Sequence, residues 1–142
     1  MTAKATVLVV DDEEMVRACY LRILVSRQCQ VREVCNGADA LQLMQQQAFD
    51  VVLLDQKMPG MDGMATLKSI KTLWPETEVI MITGFPALES AKQAVALGAY
   101  DYLAKPMGPD EVIHAASSAL THKRWRLHQD VGATSPAVAC AA

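Results

Sequence analysis

Five short apolar runs alternate along the chain with longer stretches of helical periodicity. Each run has five or six residues, and four are nearly continuous in hydrophobicity, which is typical of strands buried on both faces. The run at 30–35 alternates apolar and polar residues instead, as expected of an edge strand with one wetter face. The runs occupy residues 5–10, 30–35, 50–54, 78–82 and 100–104.

The stretches between the runs have the spacing of amphipathic helices. Apolar residues recur three and four positions apart within 15–24, 38–44, 64–73, 88–97 and 112–120. Asp12 and Asp62 stand where helix N-caps are expected, and Gly98 stands where a helix should end. In the first helix the apolar stripe consists of Met15, Val16, Cys19, Tyr20, Ile23 and Leu24.

Five strands alternating with five helices predict one fold class. Parallel strands joined by right-handed helical crossovers have helices on both faces, which gives a doubly wound, three-layer α/β sandwich. The periodic pattern weakens after Leu120. We therefore expect residues 1–121 to form the domain, and residues 122–142 to be a helix extension followed by a disordered tail or linker stub.

Composition narrows the classes of function. With 142 residues, 16 acidic and 13 basic side chains, and a formal charge of −3, the chain is a poor candidate for a general nucleic-acid or anionic-membrane binder. No apolar run approaches the roughly 20 residues that span a bilayer, and no signal peptide is evident. We expect a cytoplasmic protein whose cysteines are reduced, mostly core thiols: Cys19, Cys29, Cys35 and Cys140.

Polar residues follow the predicted strands at the point where each one ends. Asp11 and Asp12 follow the first run, Asp55 the third, Thr83 the fourth and Lys105 the fifth. The carboxyl ends of parallel strands meet at one edge of the sheet, which is where open α/β folds bind ligands. The sequence therefore predicts one crevice that holds three carboxylates, a hydroxyl and an ammonium group.

These groups together are suited to bind a divalent cation and a phosphoryl group. Three close carboxylates repel one another unless a cation joins them, and an oxygen-only ligand set favours Mg²⁺. An incoming phosphoryl group would be matched by that metal, by Lys105 and by the Thr83 hydroxyl. Asp55, on the middle strand of the crevice, is the predicted nucleophile. Taken singly, the residues have plainer explanations: a helix cap, two turn residues and a solvated lysine.

The motifs together resemble the receiver domain of bacterial two-component response regulators over roughly residues 5–121. They are the acidic pair Asp11-Asp12, the stretch DQKMPGMDG at 55–63, Thr83-Gly84, and GAYDYLAKP at 98–106. The resemblance implies the strand order 2-1-3-4-5, with Asp55 as acceptor of a phosphoryl group from a kinase phosphohistidine. It also implies a module that catalyses only its own phosphorylation and dephosphorylation.

The resemblance further assigns roles to individual residues. The metal ligands would be Asp12, Asp55 and the Lys57 backbone carbonyl, with Asp11 acting through water, and a cis bond before Pro106 would aim Lys105 inward. Thr83 and Tyr102 would form a switch pair that remodels the face made by the fourth helix, fifth strand and fifth helix. Lys57, Gly84 and Phe85 occupy positions that tune the lifetime of the phosphoryl group; here Phe85 could shield it.

Three other classes compete with this interpretation. A haloacid-dehalogenase-type phosphatase needs a second Asp two residues after the nucleophile, where this chain has Lys57. A flavodoxin-like FMN binder needs a phosphate loop after the first strand, where four consecutive acidic residues would repel phosphate. A receiver-like dimerisation module that is never phosphorylated remains an open alternative.

The expected partners are a sensor histidine kinase or a phosphotransfer protein. A second copy of the chain is also expected to bind, through the face made by the fourth helix, fifth strand and fifth helix. No motif of an output domain follows residue 121. The stretch from Gly84 to Pro106 resembles receivers joined to sigma-54-type ATPases, which favours a fragment of a larger regulator over a stand-alone receiver.

Overall fold

A five-stranded parallel sheet forms the middle layer of the protein in a computed structural model, which describes the backbone of residues 4–133 and the side chains of 4–129. The strand order is β2-β1-β3-β4-β5. The strands are β1 (Thr6–Val10), β2 (Gln30–Val34), β3 (Val51–Asp55), β4 (Glu78–Thr83) and β5 (Asp101–Ala104). The helices are α1 (Glu14–Val25), α2 (Gly37–Gln46), α3 (Gly63–Leu73), α4 (Leu88–Ala96) and α5 (Pro109–Ala133).

Two apolar layers, one on each face of the sheet, hold the helices in place. Alternate residues of a strand point to opposite faces, so Leu8 packs with α2, α3 and α4, whereas Val7 packs with α1 and α5. Both residues are fully buried. The predicted three-layer α/β sandwich and the strand order 2-1-3-4-5 are therefore confirmed.

The two edge strands differ from the three central ones. Strands β1, β3 and β4 are almost entirely buried. Strand β2 is the more exposed edge strand that was predicted, but its exposure does not alternate, because Arg32 and Glu33 are both exposed. The expectation of burial on both faces is wrong for β5, whose four residues are all at least partly exposed. Strand β5 pairs only with β4. Its apolar sequence resembles that of the central strands, but its position at the edge leaves it partly uncovered.

The helix ends show which capping predictions were right. Asp62 caps α3 by accepting a hydrogen bond from the Ala65 N–H at 2.8 Å. Gly98 has a φ of 101°, and the N–H groups of Gly98 and Ala99 donate back to the last turn of α4, as in a Schellman motif. The prediction of Asp12 as the cap of α1 is wrong, because the N-cap is Glu13 and no side chain bonds there as a cap.

Helix α1 buries a narrower stripe than its sequence predicted. Tyr20 and Leu24 are buried, but Met15 is 85% exposed and Cys19 is exposed. Because α1 follows the outer part of the sheet, one side of its stripe has no neighbouring layer to pack against. The fold thus covers Tyr20 and Leu24 fully and Val16 and Ile23 in part.

The cysteines are less buried than expected. Cys19, Cys29 and Cys35 are free thiols, but Cys19 and Cys35 are exposed, so the expectation that they are core residues is wrong. Cys35 lies just after the edge strand β2, where the chain turns to the surface. Cys29 is half-buried, and this burial raises the pKa of its thiol. Cys140 lies outside the described residues.

Helix α5 continues without interruption past residue 121 to Ala133. Its added turns pair with two carboxylates at the amino ends of the strands. His122 and Arg126 contact the buried Glu78, and Lys123 Nζ lies 2.6 Å from Asp50 Oδ1. The helix extension is therefore packed on the sheet, and the predicted tail beyond Ala133 lies outside the described residues. Within residues 4–133, no helix is both long enough and apolar enough to cross a membrane.

Gly63 should be replaceable only at a measurable loss of stability. A Cβ at this position would lie 2.5 Å from the Asp55 backbone oxygen and 2.6 Å from Gln56 Cα, and backbone atoms cannot easily move aside. We expect Gly63→Ala to lower the free energy of unfolding by about 1–3 kcal/mol in urea denaturation. Gly84→Ala is the matched control, because a Cβ there meets no atom within 4 Å. Equal stability of the two variants would contradict the prediction.

Candidate functional site

Side chains from three strand ends meet at the carboxyl edge of the sheet. Asp11 directly follows β1, Asp55 is the last residue of β3, and Lys105 directly follows β5. Lys105 Nζ lies 2.9 Å from Asp11 Oδ2 and 3.4 Å from Asp55 Oδ1. The structure thus brings together residues separated by 94 positions, because parallel strands end on the same side. The Lys105–Pro106 peptide bond is cis.

Three carboxylates form the acidic side of this site. One oxygen atom from each of Asp11, Asp12 and Asp55 lies within 4.8 Å of the others. Asp11 is buried and already engaged, since its Oδ1 accepts from the Glu13 N–H at 2.9 Å and its Oδ2 pairs with Lys105. Asp12 is exposed to solvent. An oxygen-only donor set with more negative charge than its lysine neutralises is suited to a hard divalent cation.

Charge crowding changes the pKa values of the site. Burial, reinforced by the charges of Asp11 and Asp12, raises the pKa of Asp55 to about 6 despite the nearby Lys105. Burial opposes the charged form of Lys105, but its hydrogen bond and ion pair with Asp11 and the charge of Asp55 outweigh it, so the pKa of Lys105 is raised. The lysine is therefore held as an ammonium group beside a carboxylate that binds a proton readily.

Thr83 and the loop after it form the opposite wall. Thr83 is fully buried at the end of β4, and its Oγ1 accepts from the Phe85 N–H at 3.0 Å. Its backbone oxygen accepts from the Lys105 N–H at 2.7 Å, which ties the two strand ends together. Gly84 is exposed, with open space where a Cβ would lie.

The predicted tuning residues Lys57 and Phe85 touch each other. Lys57 follows β3 and is exposed, and its Nζ lies 4.8 Å from the centroid of the Phe85 ring. Phe85 itself is 71% exposed. A cation over an aromatic face gains electrostatic attraction. The pair therefore links the loop after β3 to the loop after β4.

Tyr102, the predicted aromatic switch residue, is half-buried on β5. Its hydroxyl donates to Gln56 Oε1 at 2.8 Å, and the Ala87 N–H donates to that hydroxyl at 3.4 Å. Tyr102 thus contacts both the residue after Asp55 and the N-cap of α4. Its ring packs against the core layer beneath α2, α3 and α4.

Two residues that contact predicted site residues were missed by the sequence interpretation. Glu13 lies 3.5 Å from Lys105 Nζ, although its position suggested only a first-turn helix residue. Gln56 bonds Tyr102 across the sheet, and nothing in its local sequence distinguishes it from a turn residue. The run of four acidic residues at 11–14 was the only signal that could have indicated Glu13.

Fold and site together define a class: an open parallel α/β sheet in order 2-1-3-4-5, with a carboxylate cluster and one lysine at its carboxyl edge. The model of the response regulator receiver domain matches residues 7–117. The chain therefore belongs to the response regulator receiver domain family, whose members are signalling modules of two-component systems. The resemblance stated from the motifs is confirmed.

Relatives and solved structures agree with this assignment. The chain is 36% identical over 138 residues to the transcriptional regulatory protein ZraR of Salmonella typhimurium, covering 97% of this chain and 30% of that protein. It is 38% identical over 119 residues to the DNA-binding transcriptional regulator NtrC of Escherichia coli, covering 84% of this chain and 25% of that protein. The chain thus spans less than a third of these relatives' length.

Two solved structures show the same fold. A CheY-like receiver domain protein from Methanospirillum hungatei superposes with a TM-score of 0.85 at 25% identity, covering 87% of this chain and 99% of that one. NtrX from Brucella abortus superposes with a TM-score of 0.85 at 34% identity, covering 90% of this chain and 29% of that one.

Removing the charge of Asp55 should stabilise the metal-free protein at neutral pH. The pKa of Asp55 is raised from 3.8 to about 6 on folding, so the folded state binds more protons, and stability is lost as the pH rises through this window. We expect Asp55→Asn to raise the free energy of unfolding at pH 7.5 by about 1–3 kcal/mol.

The gain should shrink towards pH 4, where Asp55 is protonated in the wild type, and also in Mg²⁺, which stabilises the form that binds it. Asp62→Asn is the control, because asparagine caps a helix as well as aspartate does. An Asp55→Asn protein no more stable than wild type at pH 7.5 would refute the electrostatic interpretation.

Proposed function

We propose that this chain accepts a phosphoryl group on Asp55 from the phosphohistidine of a sensor histidine kinase or phosphotransfer protein. The observation that carries the proposal is the position of Asp55, a buried carboxylate grouped with Asp11 and Asp12 and contacted by Lys105, which also pairs with Asp11. Membership of the receiver family supports the same assignment.

The proposed reaction is a displacement at phosphorus. An Asp55 carboxylate oxygen forms the new bond to phosphorus, the phosphorus–nitrogen bond of the donor breaks, and its electron pair stays on the imidazole nitrogen. Lys105 neutralises one phosphoryl oxygen, and the Thr83 hydroxyl can donate to a second one by moving towards it. With a pKa of about 6, the Asp55 carboxyl group is mostly ionised at neutral pH.

The donor set fits Mg²⁺, which would be held by Asp12 and Asp55 and by the Lys57 carbonyl, with Asp11 acting through water. When bound, the cation would offset the mutual repulsion of the carboxylates and of the incoming phosphoryl oxygens. Two residues of the chain contribute in other ways. Lys105 holds Asp11 and Asp55 in place, and the exposed Gly84 leaves the site open to the phosphoryl donor.

Phosphorylation would be transmitted through Thr83 and Tyr102 to the face formed by α4, β5 and α5. Recruitment of the Thr83 hydroxyl towards the phosphoryl oxygens would end its bond with the Phe85 N–H and free the loop before α4. That face would then bind a partner, a second copy of the chain or a fused output domain. Similarity to transcriptional regulators suggests an output domain that controls transcription, of the sigma-54-activating kind.

Asp55→Asn should abolish phosphoryl uptake. Intact mass spectrometry after incubation with acetyl phosphate and Mg²⁺ should show one added phosphoryl group on the wild-type chain and none on the variant, because an amide is a poor nucleophile. Asp62→Asn, a change of the same kind in the loop beyond Asp55, should label like wild type.

Two results would contradict the assignment. Retained, alkali-labile phosphate on Asp55→Asn would place the acceptor elsewhere. An unlabelled wild-type chain, given functional donor and Mg²⁺, would favour the alternative of a receiver-like dimerisation module.

Phe85→Ala should shorten the lifetime of the phosphorylated form. In the proposed site the Phe85 ring, with Lys57 against its face, would shield the acyl phosphate, and removing the ring would let water approach more freely. We expect hydrolysis to accelerate severalfold, measured as loss of phosphorylated mass after the donor is removed. Leu88→Ala is the control, since it also removes a 70% exposed apolar side chain near the start of α4. Equal half-lives for wild type and Phe85→Ala would end this hypothesis.

A further inference from the structure

Gln56 stands where four elements of the fold come together. Its backbone is fixed on two sides, because its N–H donates to the Ile82 oxygen at 3.0 Å and its own oxygen accepts from the Gly63 N–H at 2.8 Å. Strand β4 and the start of α3 therefore hold the main chain directly after Asp55. The side chain, which is half-buried, is left to reach in the other direction.

That side chain bridges β5 and α4. Gln56 Oε1 accepts from the Tyr102 hydroxyl at 2.8 Å, and Gln56 Nε2 donates to Ser90 Oγ at 3.1 Å. The Tyr102 hydroxyl also accepts from the Ala87 N–H at the N-cap of α4. Only a carboxamide offers an acceptor and a donor at the same distance from the backbone, so the residue type suits both contacts.

Helix α4 has few other attachments. Among its described residues only Ala94 is buried, and no side chain provides an N-cap hydrogen bond. Leu88 and Val95 are largely exposed. A helix with so little buried surface is positioned by a small number of contacts, and the contacts through Gln56 and Tyr102 act at its first turn.

We propose that Gln56 is a positioning residue that fixes Tyr102 and the first turn of α4 relative to Asp55. Its backbone moves with the end of β3. Its side-chain amide contacts β5 and α4, which are two elements of the face formed by α4, β5 and α5. This inference rests on the proposed function for its role in signalling, but the coupling itself is present in the unphosphorylated chain.

The test compares amide hydrogen exchange in α4 among four chains: wild type, Gln56→Met, Tyr102→Phe and the double variant. Methionine keeps the length of the side chain and removes both hydrogen bonds. We expect exchange in the first turns of α4 to accelerate severalfold in each single variant. We expect the effect in the double variant to be smaller than the sum of the two single effects, because both changes break the Gln56–Tyr102 hydrogen bond. Gln47→Met, a comparable change distant from α4, is the control.

Phosphoryl uptake from acetyl phosphate is measured separately on the same chains and should remain within about threefold of wild type for Gln56→Met. Unchanged α4 exchange in Gln56→Met, or additive effects in the double variant, would overturn the coupling whatever Asp55 does. If wild type takes up no phosphoryl group while α4 still loosens, the proposed function fails and the positioning role stands. If Gln56→Met does not fold, unchanged α4 exchange in Tyr102→Phe overturns the inference.

Discussion

The carboxyl edge of the sheet is organised by the ion pair between Lys105 and the carboxylates of Asp11 and Asp55. Three acidic groups this close repel one another, and burial together with the charges of Asp11 and Asp12 raises the pKa of Asp55 despite the lysine. The remaining imbalance is what makes the site suitable for a cation and a phosphoryl group. A fully neutralised cluster would have no such capacity.

The scaffold holds this unfavourable arrangement through buried backbone and apolar contacts. Strands β1, β3 and β4 are covered on both faces, so the ends that carry Asp11, Asp55 and Thr83 are fixed in relation to one another. Gly63 lets α3 approach the end of β3 more closely than any side chain would allow. In contrast, β5 and α4 are only partly covered, which leaves the more adaptable elements beside the site.

At the opposite edge of the sheet, charged side chains attach a helix to the strands. There Glu78, which is buried, forms ion pairs with Lys71 and Arg126 and also contacts the ring of His122. These contacts attach the distal turns of α5 to the sheet, and they extend the folded unit past the boundary at residue 121 that hydrophobic periodicity indicated. Here a carboxylate surrounded by cationic side chains attaches a helix to the sheet, whereas at the carboxyl edge an excess of carboxylates prepares a site for a cation.

The fold class and the groups at the carboxyl edge could be predicted from the sequence, because parallel pairing follows from alternation and parallel strands must end together. The strand order came from the resemblance of the motifs to the receiver family. Which parts of each pattern are covered depends on the tertiary packing. Met15 and Cys19 fit an apolar stripe but have no layer against them, and β5 lies at an edge. The link from Gln56 to Tyr102 joins residues 46 positions apart through side chains, and no local periodicity encodes such a contact.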